Sequence, residues 1–391
     1  MVRTASSGTA GIWNDADRLF VEEACMKRLL IIVPVYGSYR AFLKGLAAWL
    51  TARGWEVHVA TNLTDAKVEA DVAHLHDIAM PRGANPLQLL RASRSLTTLI
   101  HEVQPTVVHA HFSVGMLCLA LARRVKGVRY LGTFQGMRFP LATGLSRWIF
   151  KLIECFSILR LDQCWVLTAD DYGAVPKGVR KKCAIQEGYG FGCDTAHFDP
   201  ARFSESDKAK LRSKLDISDE EFVFIYVGRL TAFKGFPLAL EAFQQLRKER
   251  NDVHFLVVGE PDSQHPLDLP DLNLIPGVHP VGWQDDPAPF LAISNTMVFP
   301  SEREGMPVCL MEALSMGIPP IVYNARGGRN LVSNGVNGIV FEDLSESALC
   351  KEMLYAVALK SWSDMRAQCL KIRGCISDRR FYDYMERQLT Q

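Results

Sequence analysis

Two glutamates eight positions apart have the clearest chemical meaning in this sequence. Glu304 and Glu312 belong to the segment Ser301–Gly317, which reads SEREGMPVCLMEALSMG and follows a short apolar run. Apolar residues recur at helical spacing in its second half, so we predict a strand, a tight loop and a helix with Pro307 in its first turn. At a rise of about 1.5 Å per residue, Glu312 then lies about 12 Å along the axis from Glu304.

The start of such a helix is suited to an anion. Its first N–H groups have no acceptor within the helix and form the positive end of the helix dipole, which favours a phosphate. Carboxylates accept hydrogen bonds from sugar hydroxyls, so two of them at this separation suit neutral polyhydroxyl groups on either side of a diphosphate. The alternative is an amphipathic helix with two solvated glutamates, and the spacing alone does not exclude it.

Two cations are predicted to lie near that helix. Arg229 and Lys234 follow the apolar run Phe222–Val227, which is typical of a buried strand, so both belong at its carboxyl end. The planar guanidinium and the compact ammonium can together hold a nucleotide diphosphate and stabilise the negative charge that grows on it as a sugar departs. For an isolated pair, two solvated surface cations in a loop are the alternative.

The elements that must position these residues alternate regularly. Aliphatic runs typical of buried parallel strands are separated by segments of helical periodicity. Strands are predicted at Leu29–Val35, Glu56–Ala60, Val107–Ala110, Val128–Thr133, Cys164–Leu167, Cys183–Gln186, Phe222–Val227, His254–Val258, Thr296–Phe299 and Ile321–Tyr323. Helices are predicted at Arg40–Arg53, Pro86–Val103, Pro237–Arg247, Pro287–Ile293 and Arg380–Leu389. This alternation predicts two doubly wound α/β domains.

Composition narrows the function classes. The chain has 391 residues, enough for two domains, with 48% hydrophobic and 22% charged residues and a net charge of +1, which argues against a nucleic-acid partner. Its ten cysteines include no Cys-x-x-Cys pair, as expected of thiols in a reducing cytoplasm rather than a zinc site or disulfide framework. No apolar run reaches the length of about 18 residues that a transmembrane helix requires.

The first residues differ from the rest. Residues 1–25 are polar and lack the apolar stretch of a secretory signal, whereas Met26 opens a strand-like run. We therefore predict that residues 1–25 are a disordered extension or result from a misplaced start codon. The only Asp-x-Asp pair, Asp15 and Asp17, lies in this extension, where it is not expected to bind a catalytic metal ion.

Three motifs in the second half resemble the C-terminal domain of family 4 retaining glycosyltransferases. They are VGRLTAFKG (Val227–Gly235), PSEREGMPVCLMEALSMGIPPIV (Pro300–Val322) and NGVNGIVFE (Asn334–Glu342), in the order and at the separations of that family. The resemblance implies the GT-B fold, two Rossmann-like domains facing a central cleft. We therefore expect an acceptor domain over 26–200, a nucleotide-sugar domain over 201–375, and a C-terminal helix over 376–391 that returns to the first domain.

The resemblance also implies roles for residues of the second domain. Glu304 would contact the donor sugar and act with Arg229 and Lys234 in catalysis, while Glu312 would bind the ribose. The backbone amides of Gly305 and Met306 would face the phosphates or the sugar.

Two elements of the first domain match the family with departures. Gly37 stands where the family has a loop with more glycines. Gln135, in GTFQGMRF, stands where a histidine that contacts the reacting sugar is usual; glutamine can position a sugar but cannot carry a proton at neutral pH. Asn330 likewise replaces a usual acidic residue in the turn that begins at Arg326.

A third element, VVHAHFS, carries His109 and His111 and resembles the family's His-x-His element on the acceptor side. Two histidines at i and i+2 of a strand point the same way and could hold a metal ion. No carboxylate or cysteine is near enough in sequence to complete that site, so we favour a hydrogen-bonding role.

The predicted function is a metal-independent, retaining transfer of a hexosyl or N-acetylhexosaminyl unit from a nucleotide-diphosphate sugar, a UDP-sugar being favoured. The expected acceptor is a glycan, lipid-linked, in bacterial lipopolysaccharide, capsule or exopolysaccharide synthesis. The alternatives are a transferase to a soluble small molecule, a nucleotide-sugar epimerase of the same fold, and a catalytically silent nucleotide-sugar-binding protein.

The segment Gly144–Leu161 bears on the cellular location. It is apolar but interrupted by charges, and it either packs on the sheet or lies in a membrane interface with Trp148, Phe150 and Phe156 among the lipids. We expect a cytoplasmic protein, with peripheral contact to the inner membrane in the second case.

Overall fold

The computed structural model of the protein describes residues 27–391 except 65, 82, 84, 264, 360 and 361. The predictions for residues 1–25, including Asp15 and Asp17, lie outside the described residues. The chain divides into two compact units, an N-terminal unit that ends at Leu131 and a C-terminal unit that begins at Gly132. The domain boundary predicted near residue 200 stays a prediction.

Seven strands form the first sheet. Along the chain they are β1 (Lys27–Val35), β2 (Trp55–Asn62), β3 (His74–Asp77), β4 (Val107–His111), β5 (Arg129–Phe134), β6 (Gln163–Val166) and β7 (Cys183–Ile185). Their order in the sheet is β3-β2-β1-β4-β5-β6-β7. The pairings of β1 with β2 and β4, of β2 with β3 and of β6 with β7 are parallel. This strand order reverses direction beside β1, as in doubly wound folds.

Helices connect these strands. They are α1 (Tyr36–Phe42), α2 (Lys44–Thr51), α3 (Pro86–Val103), α4 (Phe112–Leu121), α5 (Gly144–Arg160), α6 (Ala169–Ala174) and α7 (Lys177–Arg180). The helix predicted over Arg40–Arg53 is in fact two helices, because Leu43 lies between them in a non-helical conformation. The prediction over Pro86–Val103 is confirmed, and the Asn85 side chain caps its first turn.

Six strands form the second sheet. They are β8 (Phe222–Val227), β9 (Val253–Val258), β10 (Val278–Gly282), β11 (Thr296–Phe299), β12 (Pro320–Tyr323) and β13 (Ile339–Phe341), in the order β10-β9-β8-β11-β12-β13. All five pairings are parallel. The inner strands β8, β9 and β11 are buried over nearly their whole length, which explains their unbroken apolar runs.

Nine helices complete the C-terminal unit in the part of the chain described after β7. They are α8 (Glu205–Lys214), α9 (Phe236–Glu249), α10 (Ala288–Ala292), α11 (Val308–Ser315), α12 (Gly328–Leu331), α13 (Glu346–Ala358), α14 (Trp362–Lys371), α15 (Arg373–Ile376) and α16 (Asp378–Leu389). Tyr384 of α16 contacts Trp165 of β6 edge to face. The last helix therefore packs on the first sheet, as the resemblance implies. Among the described residues, no helix is both long and apolar enough to cross a membrane.

Candidate active site

Two loops at the carboxyl ends of neighbouring strands are joined in the C-terminal unit. One follows β8 and the other follows β11, and these strands pair in the sheet. The Ser301 hydroxyl donates to the carbonyl oxygen of Phe233 (3.3 Å), and the backbone N–H of Glu302 donates to the same oxygen (3.2 Å). The two loops therefore hold the side chains they carry at a fixed separation.

Gly235 allows this close approach. It ends the short turn Ala232–Lys234 at φ +73°, and a Cβ there would collide with the backbone of Pro300. Only glycine adopts that conformation without strain and leaves room for the neighbouring chain. The ammonium of Lys234 consequently lies beside the loop that carries Glu304.

Lys234 and Glu304 form the innermost ion pair of this region. The Lys234 Nζ lies 2.5 Å from Glu304 Oε1, and the Ser301 hydroxyl donates to the same oxygen at 2.7 Å. Both side chains are mostly buried, with 20% and 12% of their surfaces exposed. Within the described residues, Glu304 Oε2 accepts no further hydrogen bond and remains available for a hydroxyl group.

Arg229 is held differently. Its backbone carbonyl accepts a hydrogen bond from the Tyr226 hydroxyl (2.9 Å), and its guanidinium pairs with Asp262. The Phe233 ring lies 5.4 Å from the Arg229 guanidinium and 5.3 Å from that of Arg303, so an aromatic face separates two cations. The Arg229 side chain is half exposed and could exchange its carboxylate partner for a phosphate at little cost.

A third ion pair lies deeper. Arg326 follows β12 and is nearly buried; its guanidinium pairs with Asp171, which has no exposed surface. The same guanidinium donates to the carbonyl oxygens of Glu304 (3.1 Å) and Met137 (3.2 Å). Burial raises the pKa of Asp171 although Arg326 opposes that shift. Arg326 therefore fixes the backbone on which Glu304 is mounted.

The loop after β5 contacts the loop that carries Glu304 and forms part of the same pocket. A Cβ on Gly305 would collide with the carbonyl group of Gln135, so the two backbones are in direct contact and only glycine fits at 305. Together these elements enclose a pocket of about 550 Å³. Its wall includes five of the predicted residues, Gln135, Arg229, Lys234, Glu304 and Gly305, and also Arg138, Leu141, Phe150, Phe233, His265, Arg303 and Arg326.

Helix α11 begins beside this pocket. It starts at Val308, and Pro307 is its N-cap rather than a residue of its first turn. Burial, with the nearby charge of Asp286, raises the pKa of Glu312 from 4.5 to about 7. The half-buried Met306 precedes the helix and packs under Gly190. The binding roles of Met306 and Glu312 remain predictions.

The other predicted residues belong to the N-terminal unit. Gly37 lies in the first turn of α1 with nothing within 4 Å of where a Cβ would be, so packing does not require glycine there. His109 and His111 lie at the end of β4, each 1% exposed, with their rings 4.1 Å apart. Burial lowers the pKa of His109 to about 3, and it lowers the pKa of His111 as well. Their acceptor-side role stays a prediction.

Sequence reasoning missed the partners of the pocket cations. Asp171 and Asp262 are separated from Arg326 and Arg229 by long stretches of chain, and no local pattern indicates such pairings. One signal was available, since Arg326 precedes two glycines directly after a predicted strand, where a ligand of an open sheet would bind.

Comparison with known proteins identifies the family of the chain. Residues 37–175 match the model of the glycosyl transferase 4-like domain, and residues 207–371 match the model of the glycosyl transferases group 1 family. Among curated relatives, the capsular polysaccharide biosynthesis glycosyltransferase CapM of Staphylococcus aureus is 23% identical over 80% of this chain and 83% of its own. The UDP-Gal:alpha-D-GlcNAc-diphosphoundecaprenol alpha-1,3-galactosyltransferase of Escherichia coli is 29% identical over 67% and 68%.

A solved structure gives the fold. The HepE protein of Anabaena in complex with UDP-glucose superimposes with a TM-score of 0.74 at 16% identity, over 93% of this chain and 99% of its own. The two sheets described above correspond to the two sheets of GT-B enzymes. The chain belongs to the family 4 glycosyltransferases and has the GT-B fold.

Proposed function

We propose that this glycosyltransferase moves a hexosyl or N-acetylhexosaminyl unit, with retention of configuration, from a UDP-sugar to a lipid-linked glycan of a bacterial surface polysaccharide. The observation that carries the proposal is the Lys234–Glu304 pair at the wall of a pocket that also holds Arg229. A bound diphosphate would take Lys234 and Arg229 from their carboxylates, and Glu304 would then accept hydrogen bonds from the donor sugar.

The reaction follows from this exchange. Negative charge grows on the leaving diphosphate, so fixed cations stabilise the transition state more than the ground state. Among the described residues lining the pocket, Glu304 is the only carboxylate, and it is already engaged by Lys234 and Ser301. A covalent intermediate is therefore less favoured than front-face attack, in which a leaving-phosphate oxygen accepts the acceptor's proton. Two cations at the diphosphate make a metal ion unnecessary in this scheme.

The surface of helix α5 supports a membrane-bound acceptor. Its outward face is a continuous apolar stripe at helical spacing, formed by Leu145, Trp148, Ile149, Leu152, Phe156 and Leu159 and continued by Leu141. Leu145, Leu152 and Trp148 are 76%, 70% and 63% exposed. The opposite face buries Glu154, which accepts hydrogen bonds from the backbone of Arg138 and Phe139. An apolar face of this length is unusual on a surface helix and suits a lipid interface.

Charge around the stripe favours anionic lipid. Arg147 and Arg160 are exposed on the same helix, and the Lys151 ammonium lies 5.2 Å from the Trp148 ring. Basic groups beside an apolar face attract anionic headgroups while the apolar side chains enter the acyl boundary. The predicted packing of this helix and its predicted interfacial position are thus compatible, because they use opposite faces.

Two arginines link this helix to the pocket. Arg138 and Arg303 line the pocket, and neither forms an ion pair with a carboxylate of the described residues. The Arg138 guanidinium lies 5.7 Å from the ring of Phe150, a residue of α5 that also lines the pocket. These two charges suit the phosphates of an acceptor carried on a lipid diphosphate, the acceptor type named for the Escherichia coli relative.

The donor is tested by calorimetric titration with UDP, GDP and ADP, followed by turnover of the matching sugar nucleotides. We expect UDP to bind most tightly and Glu304→Ala to bind UDP but lose turnover. Proton NMR of the product with a lipid-linked acceptor gives the anomeric configuration. Inversion would refute the retaining mechanism, and binding without turnover by the wild type would favour the silent nucleotide-sugar-binding protein.

The membrane contact is tested separately by flotation with anionic vesicles. Trp148→Glu and Leu152→Glu place charges in the stripe and should abolish flotation, whereas Trp283→Glu changes another exposed tryptophan (57%) and should not. If none of the three changes flotation, the stripe is not the contact. Equal loss in all three would show that general surface hydrophobicity is responsible.

A further inference from the structure

A cluster of histidines lies in the N-terminal unit, at the amino ends of two neighbouring strands. Glu56 and His58 are two positions apart near the start of β2, and His74 opens β3 directly opposite His58. One ligand atom from each of the three lies within 4.8 Å of the others. Ligands of open parallel sheets bind at the carboxyl ends, so this cluster is not explained by glycosyl transfer.

Hydrogen bonds hold His58 and Glu56 in place. His58 Nε2 lies 2.9 Å from Glu56 Oε1, while His58 Nδ1 lies 2.9 Å from His76 Nε2. The second oxygen of Glu56, Oε2, accepts a hydrogen bond of 2.6 Å from Arg28. In protein metal sites, the distal nitrogen of a histidine ligand and the free oxygen of a carboxylate ligand are held by such partners.

The candidate ligand atoms of Glu56, His58 and His74 therefore lie close to one another. His58 is 8% exposed, whereas His74 is exposed and its ring centroid lies 4.8 Å from that of His58. Two atoms bound about 2.1 Å from a tetrahedral ion are about 3.4 Å apart. The Glu56–His58 pair is already closer than this, and the exposed His74 can rotate to complete the set.

We propose that Glu56, His58 and His74 bind a divalent transition-metal ion of the Zn²⁺ class. Two imidazole nitrogens and one carboxylate oxygen are ligands that Zn²⁺ accepts, with water in the fourth position. His58 would coordinate through Nε2 and donate its Nδ1 proton to His76. The ion would fasten the edge strand β3 to β2.

The second sheet supplies a matched comparison. His254 Nδ1 lies 2.9 Å from His279 Nε2, and His254 Nε2 lies 3.2 Å from Glu221, so a Glu–His–His chain recurs there. The register is also the same, because His76 is opposite Ala60 and His279 is opposite Leu256, each two residues after the inner histidine. At the position equivalent to His74 this sheet has Gly277, so it lacks a third ligand.

The test uses the full chain, stripped with a chelator and titrated with Zn²⁺ by calorimetry and with Co²⁺ by visible absorption. We expect one ion per chain and the ligand-field bands of tetrahedral Co²⁺. His74→Ala removes an exposed side chain and should weaken Zn²⁺ binding at least tenfold and remove the bands. His279→Ala, in the second sheet, should change neither.

The controls make the result decisive. His101→Ala removes an exposed histidine from α3 and should leave Zn²⁺ binding unchanged, which excludes nonspecific binding to surface imidazoles. Thermal melts without metal check that each variant is folded. The proposal is overturned if the wild type binds no stoichiometric ion, if His74→Ala binds as the wild type does, or if His279→Ala loses the same ion.

Discussion

The pocket contains cations paired with carboxylates, whereas the histidine cluster contains neutral imidazoles. In the pocket, three cations each have a carboxylate partner: Lys234 with Glu304, Arg229 with Asp262, and Arg326 with Asp171. In the cluster, burial lowers the pKa of His58 and of His76, so both imidazoles are neutral at pH 7. The first arrangement can exchange internal carboxylates for an anionic ligand, whereas the second offers lone pairs to a cation.

The two regions also differ in how much stability depends on their ion pairs. Arg326 and Asp171 are buried, with 8% and 0% of their side chains exposed, but Arg28 and Glu56 are 26% and 29% exposed. A buried charge that loses its partner is left in a medium that solvates it poorly, while water replaces the partner of an exposed one. Removing one partner from each pair should therefore have unequal effects on stability.

Breaking the buried pair should cost the most. Arg326→Met leaves Asp171 without its cation and should lower the free energy of unfolding by about 3–5 kcal/mol. Glu56→Gln, measured without metal, should cost less than about 1 kcal/mol. Urea denaturation followed by circular dichroism gives both values, and similar losses in the two variants would contradict the contrast.

The pair of Lys234 and Glu304 should have its main effect on catalysis. Lys234→Ala should lower kcat by about a hundredfold or more, because a donor to the leaving diphosphate is lost. His74→Ala should leave kcat unchanged, measured with the same donor and acceptor. The double variant Lys234→Ala/Glu304→Ala should lose less than the sum of the two single losses, since the residues interact directly. Additive losses would show that the two residues act independently.

Metal binding should raise the thermal stability of the protein through the histidine cluster of the first sheet alone. Zn²⁺ at a hundred times its dissociation constant contributes about 2.7 kcal/mol when the unfolded chain does not bind it. We expect the wild type and His254→Ala to gain thermal stability with Zn²⁺, and His74→Ala to gain none. Differential scanning calorimetry at matched protein concentration measures the gain. A gain that depends on His254 would place the ion in the wrong sheet.

The smallest effect concerns Glu312. Its pKa is raised from 4.5 to about 7, so the folded protein keeps a proton that the unfolded chain releases between these values. Its contribution to stability is therefore full below pH 4.5 and is lost as the pH rises through 7. Glu312→Gln does not titrate. The thermal midpoint of the wild type minus that of this variant should fall over this range, and a constant difference would refute the shift.

Much of the fold could be predicted because buried parallel strands are unbroken apolar runs. The bounds of β8 and β11 were predicted to the residue, and Lys234 and Glu304 were each placed in the segment that follows one of these strands. The short edge strands β3, β10 and β13 were missed, and HLHD and VHPVG have little of the aliphatic character of buried strands. Edge strands are identified by their pairing with a neighbour, which a single sequence does not contain.

The same limit applies to the charged clusters. Asp171 and Arg326 are 155 positions apart, and neither residue has a local pattern that indicates a buried pair. His74 becomes meaningful only when the register places it opposite His58. Motif spacing predicted the residues that share a loop, whereas tertiary structure was needed for those that meet across strands.

The apolar stripe on α5 has a consequence for kinetics. If the proposed membrane contact holds, the enzyme would search for its acceptor in two dimensions, and Trp148 and Leu152 would set its orientation towards the lipid surface. Local acceptor density, set by the lipid composition, would then determine the rate more than the bulk concentration does. Diluting the lipid-linked acceptor within vesicles at constant total amount should slow the wild type, whereas Trp148→Glu should respond to the total amount alone.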